Sequence, residues 1–234
     1  MLYGPQAGAF DLSFSVPSEC ADRVARGDAD LGILPVAEVQ RLTLPYMTEV
    51  GIACTGAVRS ILLISKTPFE QIRTLAADSS SRTSVMLARV ILARKYGCRP
   101  EIRTLAPTLD RMLQDCDAAL IIGDPALRIE PNSLPYAWLD LGVEWFELTG
   151  LPMVFALWSG PQQFMAEEYR KIFVDSCRFG LDHLEDIVRS NSRERDFPED
   201  VVRTYLTRHV EFELGPEHLR GLELFLRCVR ELDQ

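Results

Sequence analysis

Apolar and polar residues alternate at residues 12–16 (L-S-F-S-V), which is the period of a strand with one buried face. Residues 19–27 follow with helical spacing, where Ser18 is placed to cap the helix and Gly27 to end it. Residues 31–35 are again short and apolar, as in a strand. The pattern therefore predicts a β–α–β unit with parallel strands, because a helix joins them.

Strand and helix patterns continue to alternate through the middle of the chain. Residues 58–65 (V-R-S-I-L-L-I-S) are almost continuously apolar, which is typical of a strand buried on both faces. We predict further strands at residues 50–55, 73–77, 101–105, 118–122, 138–141 and 152–158, and helices at residues 85–96, 108–115 and 142–149. Helices are also predicted at residues 162–179, 182–191, 198–212 and 216–232. The fold class is therefore α/β with a helical C-terminal region.

The order of the predicted elements divides the chain into two α/β lobes. We expect residues 1–72 to begin the first lobe, residues 73–148 to form the second, and residues 149–234 to return to the first lobe and add the C-terminal helices. Small ligands commonly bind in clefts between lobes. Two corners of the first lobe, at residues 17–18 and 35–38, are candidates for one cleft wall, with helix capping as the alternative.

Composition and charge narrow the function. Of the 234 residues, 47% are hydrophobic and 25% are charged, the profile of an ordinary globular protein. The net charge of −9 argues against a nucleic-acid partner, because the phosphate backbone attracts basic proteins. No apolar run is long enough to span a membrane, and residues 1–5 lack the features of a signal peptide. We therefore expect no membrane contact and a cytoplasmic location.

Motifs for metals and cofactors are missing from the sequence. The six cysteines and three histidines show no C-x-x-C, H-E-x-x-H or other ligand spacing. The sequence also contains no dinucleotide fingerprint, Walker loop or EF-hand. The histidines His183, His209 and His218 lie far along the chain from every predicted cleft loop. We expect a protein without metal or cofactor.

The strongest candidate for chemistry is the polar loop at residues 78–84 (D-S-S-S-R-T-S), which leads from a predicted strand into a predicted helix. Free backbone N–H groups and the helix dipole favour an anion at such a position. Hydroxyls and a guanidinium add donors for a carboxylate. The candidate ligand-binding residues are Ser79, Ser80, Ser81, Arg82 and Thr83. The alternative is helix capping alone, which needs one hydroxyl rather than five.

Two further positions are candidates. Gly123 and Asp124 follow a predicted strand, where open α/β sheets place their ligands, and the alternative role of Asp124 is that of a helix cap alone. Asp124 is also placed to orient Arg82 or Arg128. Ser60 is a polar residue inside an apolar strand, and its alternative role is a hydrogen bond within the sheet. No G-x-S-x-G elbow makes Ser60 a triad nucleophile.

Five segments together resemble chorismate dehydratases of the futalosine route to menaquinone. In the order of that family they are residues 16–18, 27–38, 80–85, 117–127 and 149–158. The pair S-R-T-S and I-G-D-x-A-L is specific. The sister family in the same pathway, dihydroxynaphthoate synthase, shares the fold, is less similar in these motifs and needs a histidine in its cleft.

The resemblance implies a two-lobed periplasmic-binding-protein-like (type II) fold. It also implies a hydro-lyase that converts chorismate to 3-[(1-carboxyvinyl)oxy]benzoate without a cofactor. By motif position, Ser60 matches a strand serine thought to be catalytic, residues 80–83 match the carboxylate-binding loop, and Gly123 with Asp124 match the second cleft corner. Members usually begin with a strand and an L-N-x-x-P-L corner whose asparagine lines the active site, and residues 1–4 resemble the tail of that corner.

Chorismate carries a ring hydroxyl and two carboxylates, and loss of water makes its ring aromatic. An enzyme has to hold the dianion in a reactive geometry. We identify no protein base, and the substrate's own enolpyruvyl carboxylate is the candidate. Two alternatives remain open: a non-catalytic carboxylate-binding or sensor domain of the same fold, and the sensing half of a transcription regulator. The regulator needs a DNA-binding segment, which the sequence does not show.

Overall fold

A computed structural model describes residues 3–78 and 82–232. Its strands are β1 (Gly32–Pro35), β2 (Tyr46–Cys54), β3 (Ile61–Ser65), β4 (Thr74–Ala77), β5 (Glu101–Thr104), β6 (Ala118–Ile122), β7 (Ala137–Asp140), β8 (Met153–Ser159) and β9 (Glu211–Glu213). Its α-helices are α1 (Pro17–Arg26), α2 (Val36–Leu42), α3 (Arg82–Lys95), α4 (Leu109–Asp115), α5 (Asp124–Leu127), α6 (Leu141–Thr149), α7 (Glu167–Asp182), α8 (Leu184–Arg195), α9 (Glu199–Thr204) and α10 (Pro216–Leu232). The predicted α/β fold with a helical C-terminal region is confirmed.

Within the described residues, the strands form two sheets. One has the order β1-β8-β2-β9 with antiparallel neighbours. The other has the order β5-β4-β6-β3-β7, where β4 is parallel to β5 and β6, and β3 is antiparallel to β6 and β7. The chain changes sheet between Cys54 and Ile61 and returns between Asp140 and Met153. The lobe limits at residues 72 and 148 stay a prediction, because strand pairing does not define domain boundaries.

The strand β3 lies in the interior of the five-stranded sheet. All five of its residues are buried. Leu62 and Ile64 pack into one hydrophobic cluster, whereas Ile61 and Leu63 pack into another. Because successive side chains of a strand point to opposite faces, a strand with two covered faces needs apolar residues on both faces. This explains the continuous apolar run that the sequence shows here.

One hydrophobic cluster joins the two sheets. It includes Ala53 and Leu157 from the four-stranded sheet, Leu63 and Leu75 from the five-stranded sheet, and Trp145 from α6. Helix α10 packs against α2, α3 and β8 and contributes to the same cluster. The two halves are therefore held together by apolar burial as well as by the two chain crossings.

The predicted strand at residues 12–16 is wrong. These residues have no regular secondary structure, and Phe14 is 78% exposed. Alternation alone does not make a strand when no neighbouring strand supplies hydrogen bonds. Helix α1 has Pro17 in its first turn and Val16 as its N-cap, so Ser18 is not the cap. The predicted parallel β–α–β unit is also wrong, because β1 pairs with the antiparallel strand β8.

The prediction of a helix over residues 198–212 is correct only in its first part. Helix α9 passes into a π-helical turn at Tyr205–His209, and the strand β9 follows directly. Strand β9 pairs with β2, with Glu213 opposite Val50. The short segment at residues 211–213 (E-F-E) therefore forms a strand because it pairs with the edge of β2. Its sequence alone does not distinguish a strand from a helix.

Candidate functional site

Ser60 and Gly123 meet at one edge of the five-stranded sheet. Ser60 directly precedes β3, Gly123 directly follows β6, and the Gly123 amide donates to the Ser60 carbonyl at 2.8 Å. Gly123 has a φ of 70°, a left-handed conformation that favours glycine. Ser60 is only 5% exposed. The antiparallel pairing of β3 and β6 therefore brings together two of the predicted site residues.

Asp140, which the sequence analysis missed, fixes the segment that leads to Ser60. Its carboxylate accepts from the backbone amides of Val58 at 3.1 Å and Arg59 at 2.7 Å. The same carboxylate caps α6 by accepting from two amides of its first turn. Arg59 has a φ of 61°, which is unusual for a residue with a side chain, and the bond to Asp140 supports it. An aspartate just before an apolar helix is a capping signal that can be recognised in the sequence. Its bonds to Val58 and Arg59, in the segment that connects the two sheets, cannot be recognised there.

Arg82 and Thr83 begin α3 and face the corner formed by residues 35–38 of the other sheet. The Thr83 hydroxyl accepts from the Ala37 amide at 3.3 Å and is almost fully buried. The Arg82 guanidinium donates to the Glu38 carboxylate, which is 3% exposed. The start of α3 therefore contacts the corner at residues 35–38, which the sequence indicates as a candidate for one cleft wall.

Carboxylates of the protein already partner Arg82. Asp22 of α1 lies 3.4 Å from its guanidinium, and Glu38 also accepts from Arg41 at 2.7 Å. Two arginines thus face two carboxylates, and the group is balanced in charge. The Arg82 side chain is 38% exposed. A ligand carboxylate at Arg82 would have to compete with Glu38, a relation that the sequence did not reveal.

Three of the predicted donors, Ser79, Ser80 and Ser81, lie outside the described residues. The described chain stops at Asp78 after β4 and resumes at Arg82. In the five-stranded sheet, β6 lies between β4 and β3. Neighbouring strands are about 4.8 Å apart, so the end of β4 lies about 10 Å from the start of β3. The roles of the three serines stay a prediction.

The sequence suggested Arg82 or Arg128 as the partner of Asp124. The structure instead pairs Asp124 with Arg195. Its Oδ2 lies 3.0 Å from the Arg195 guanidinium at the end of α8. Arg128 instead lies over the Phe197 ring, 4.2 Å from its centroid, and donates to backbone carbonyls. Asp124 keeps its place at the start of α5, next to Gly123. Helix α8 therefore contacts the second predicted corner of the site. The sequence did not indicate this contact, because Arg195 and Asp124 are far apart along the chain.

The C-terminal helices bring one further residue to Ser60 and another to Ala57, three residues before it. The Tyr205 hydroxyl donates to Ser60 Oγ at 3.0 Å. Burial raises the pKa of Tyr205. His209 Nδ1 donates to the Ala57 carbonyl at 2.9 Å. The expectation that no histidine lies near the candidate loops is therefore wrong for His209, because the sequence pattern placed this segment in a plain helix.

A groove of about 540 Å³ opens beside the start of α3. This volume is within the range of small-molecule sites. Its described lining residues are Ala37, Glu38, Gln40, Arg41, Ala77, Asp78, Arg82, Val85, Met86, Ile102, Thr104, Val229 and Arg230. Ser60 and Asp124 are not among them. The hydrogen bonds therefore join Ser60 with Gly123, and Arg82 with Glu38, as two separate groups.

The described residues form neither a metal site nor a membrane span. No group of three or more His, Cys, Asp or Glu side chains there is arranged to hold a metal ion. None of the helices in residues 3–78 and 82–232 combines the length and apolar character that a membrane span requires.

Comparison with known proteins identifies the family. A family model described as menaquinone biosynthesis matches residues 1–231. A chorismate dehydratase of Thermus thermophilus is 24% identical over 94% of this chain and 87% of its own length. A chorismate dehydratase of Campylobacter jejuni is 26% identical over 79% of this chain and 69% of its own length. The resemblance that the motifs indicate is therefore confirmed.

Solved structures support the fold. A protein of Archaeoglobus fulgidus aligns with a TM-score of 0.72 at 14% identity and covers 94% of this chain and 85% of that one. The periplasmic aliphatic sulphonate binding protein SsuA of Escherichia coli aligns with a TM-score of 0.58 at 15% identity, over 92% and 75% of the two chains. The predicted periplasmic-binding-protein-like fold is confirmed. With its two sheets, its motifs and a family match over nearly its whole length, the chain belongs to the menaquinone biosynthesis family that includes the chorismate dehydratases.

Proposed function

We propose that the chain is a chorismate dehydratase that removes water from chorismate to give 3-[(1-carboxyvinyl)oxy]benzoate. The observation that carries this proposal is the edge of the five-stranded sheet, where Ser60 adjoins Gly123 and where α3 begins against the corner of the other sheet. The family match and the names of two relatives support the reaction. The substrate class is a small dicarboxylate, bound between the two sheets.

The proposed roles follow the chemistry of the side chains. Residues 79–81, with Arg82 and Thr83, bind a substrate carboxylate at the N-terminus of α3, where the helix dipole favours negative charge. Gly123 and Asp124 form the second corner. Ser60 is the catalytic residue and donates a hydrogen bond to the leaving hydroxyl or to a carboxylate. Arg82 exchanges Glu38 for the substrate when the substrate binds.

The reaction needs one proton transfer and one bond cleavage. A base removes the ring proton next to the carbon that carries the hydroxyl. The electron pair of that C–H bond becomes the third double bond of the ring, and the C–O bond breaks to release hydroxide, which leaves as water with the proton. The enolpyruvyl carboxylate of the substrate is the proposed base. The reaction is neutral in redox terms, and holding both carboxylates in a reactive geometry contributes several kcal/mol.

Turnover of chorismate by the purified chain tests the reaction. We expect loss of chorismate absorbance and a product one water lighter by mass spectrometry. Ser60→Ala should lower kcat by at least about tenfold, because a donor to the leaving group is lost. Ser65→Ala is the matched control, since Ser65 is likewise buried but lies at the opposite end of β3 from Ser60 and donates to the Thr67 carbonyl. Chorismate bound with its mass unchanged would instead identify a non-catalytic binding protein.

A second pair of variants separates substrate binding by Arg82 from its contact with Glu38. Arg82→Ala should raise KM by at least about tenfold, because a charge-assisted bond to the substrate is lost. Arg41→Ala removes the other arginine from the same carboxylate and should leave KM within about twofold. Equal KM values for the two variants would show that Arg82 acts only through Glu38.

A further inference from the structure

The side chain of Tyr205 reaches the proposed catalytic serine from a distant part of the chain. Tyr205 begins the π-helical turn that follows α9, and its hydroxyl lies 3.0 Å from Ser60 Oγ although 145 residues separate the two. Ser60 is 5% exposed, so few other groups have access to its oxygen. None of the motifs that carry the family resemblance includes Tyr205.

The direction of this hydrogen bond determines what Ser60 can do. Tyr205 donates and Ser60 Oγ accepts. A phenol has an ordinary pKa of about 10 and is therefore a protonated donor at neutral pH, and burial shifts the pKa of Tyr205 further in the same direction. A serine hydroxyl that accepts one bond still has its own hydrogen to donate. The bond therefore favours Ser60 as a hydrogen-bond donor and disfavours it as a base or nucleophile.

The π-helical turn holds the segment before β3 at two points. Tyr205 binds Ser60, and four residues later His209 donates to the Ala57 carbonyl at 2.9 Å. Turns of this type are rare and occur frequently at functional sites. A third contact, between Arg195 and Asp124, ties α8 to the neighbouring corner. Three contacts therefore connect the C-terminal helices with the candidate site.

We propose that Tyr205 is a positioning residue that fixes Ser60 Oγ, so that the serine hydrogen points towards the substrate. This inference rests on the proposed function. It adds a residue to the site and assigns Ser60 the role of donor. It also gives the C-terminal helices a part in catalysis, because they carry the group that orients the serine.

The test is a double-mutant cycle on Tyr205 and Ser60, with chorismate as substrate. Tyr205→Phe removes a single oxygen and should lower kcat about tenfold, with KM within about twofold. In the Ser60→Ala background the same change should have no further effect on kcat, because Tyr205 acts only through Ser60. Tyr96→Phe is the matched control, since the Tyr96 hydroxyl donates to Glu144 at 3.0 Å. It removes one hydroxyl bond and should leave kcat unchanged.

Each outcome decides the inference. A wild-type kcat for Tyr205→Phe, in protein that urea unfolding shows to be folded, would overturn the positioning role and leave the proposed function intact. An equal loss of kcat with and without the Ser60 hydroxyl would also overturn it, because Tyr205 would then act on the fold rather than on the serine. A wild-type chain that leaves chorismate unchanged would remove the proposed function, and this inference with it.

Discussion

Replacement of Asp140 tests the account of how the site is held. The side chain is 5% exposed and accepts from four backbone amides. These are the amides of Val58 at 3.1 Å, Arg59 at 2.7 Å, Gly142 at 2.9 Å and Val143 at 3.2 Å. Two of the bonds cap α6, and the other two hold the crossing between the sheets.

The magnitude follows from what Asp140→Ala leaves behind. Loss of an N-cap lowers stability by about 1 kcal/mol. The amides of Val58 and Arg59 become donors without an acceptor, at about 1–3 kcal/mol each. We therefore expect the free energy of unfolding to fall by about 3–7 kcal/mol, a large part of the roughly 5–15 kcal/mol typical of a domain. Asp140→Asn keeps one oxygen and should lose about 2 kcal/mol.

Urea unfolding followed by circular dichroism measures this difference, with the slope of each transition as a check that the unfolded states are alike. Asp115→Ala is the control, because Asp115 is exposed and pairs with Arg111 one helical turn away. That change should alter stability by less than about 0.5 kcal/mol. A free energy of unfolding for Asp140→Ala within about 1 kcal/mol of the wild-type value, at an unchanged slope, would refute this reasoning. The bonds from the four amides to this carboxylate would then contribute little to stability.

Three further predictions concern charge and packing. Glu38→Gln should lower the free energy of unfolding by about 2–4 kcal/mol, because two arginines lose a buried partner; a loss below about 0.5 kcal/mol would contradict this. The pKa of Asp117 lies below its usual range, since amides of Arg73 and Thr74 and the Thr74 hydroxyl outweigh the opposing effect of burial. Its stabilising effect is present above the unfolded pKa and is lost as the pH falls through the lower folded pKa. The deficit of Asp117→Asn should therefore shrink below about pH 4, and a constant deficit would refute this. Gly221→Ala should destabilise by about 1–3 kcal/mol, because the new Cβ meets the Pro152 carbonyl, whereas Gly180→Ala has space and should not.

The sequence determined the elements whose cause is local. The first four positions of β3, residues 61–64, are apolar, and burial on both faces favours this pattern wherever the strand lies. Gly27, with a φ of 78°, ends α1 as predicted, because a left-handed residue suits a helix C-terminus. The short motifs around Arg82 and Gly123 are also local, and they carry the resemblance to the family.

The tertiary structure alone decided the pairings across long stretches of chain. Residues 12–16 alternate like a strand but have no partner, whereas the short strand β9 forms because the edge of β2 is free. The sequence placed Ser60, Arg82 and Asp124 at a site, but it could not show that Tyr205, Glu38 and Arg195 bond to them. A local pattern reports the period of burial, whereas these contacts depend on which surfaces the completed sheets and helices bring together.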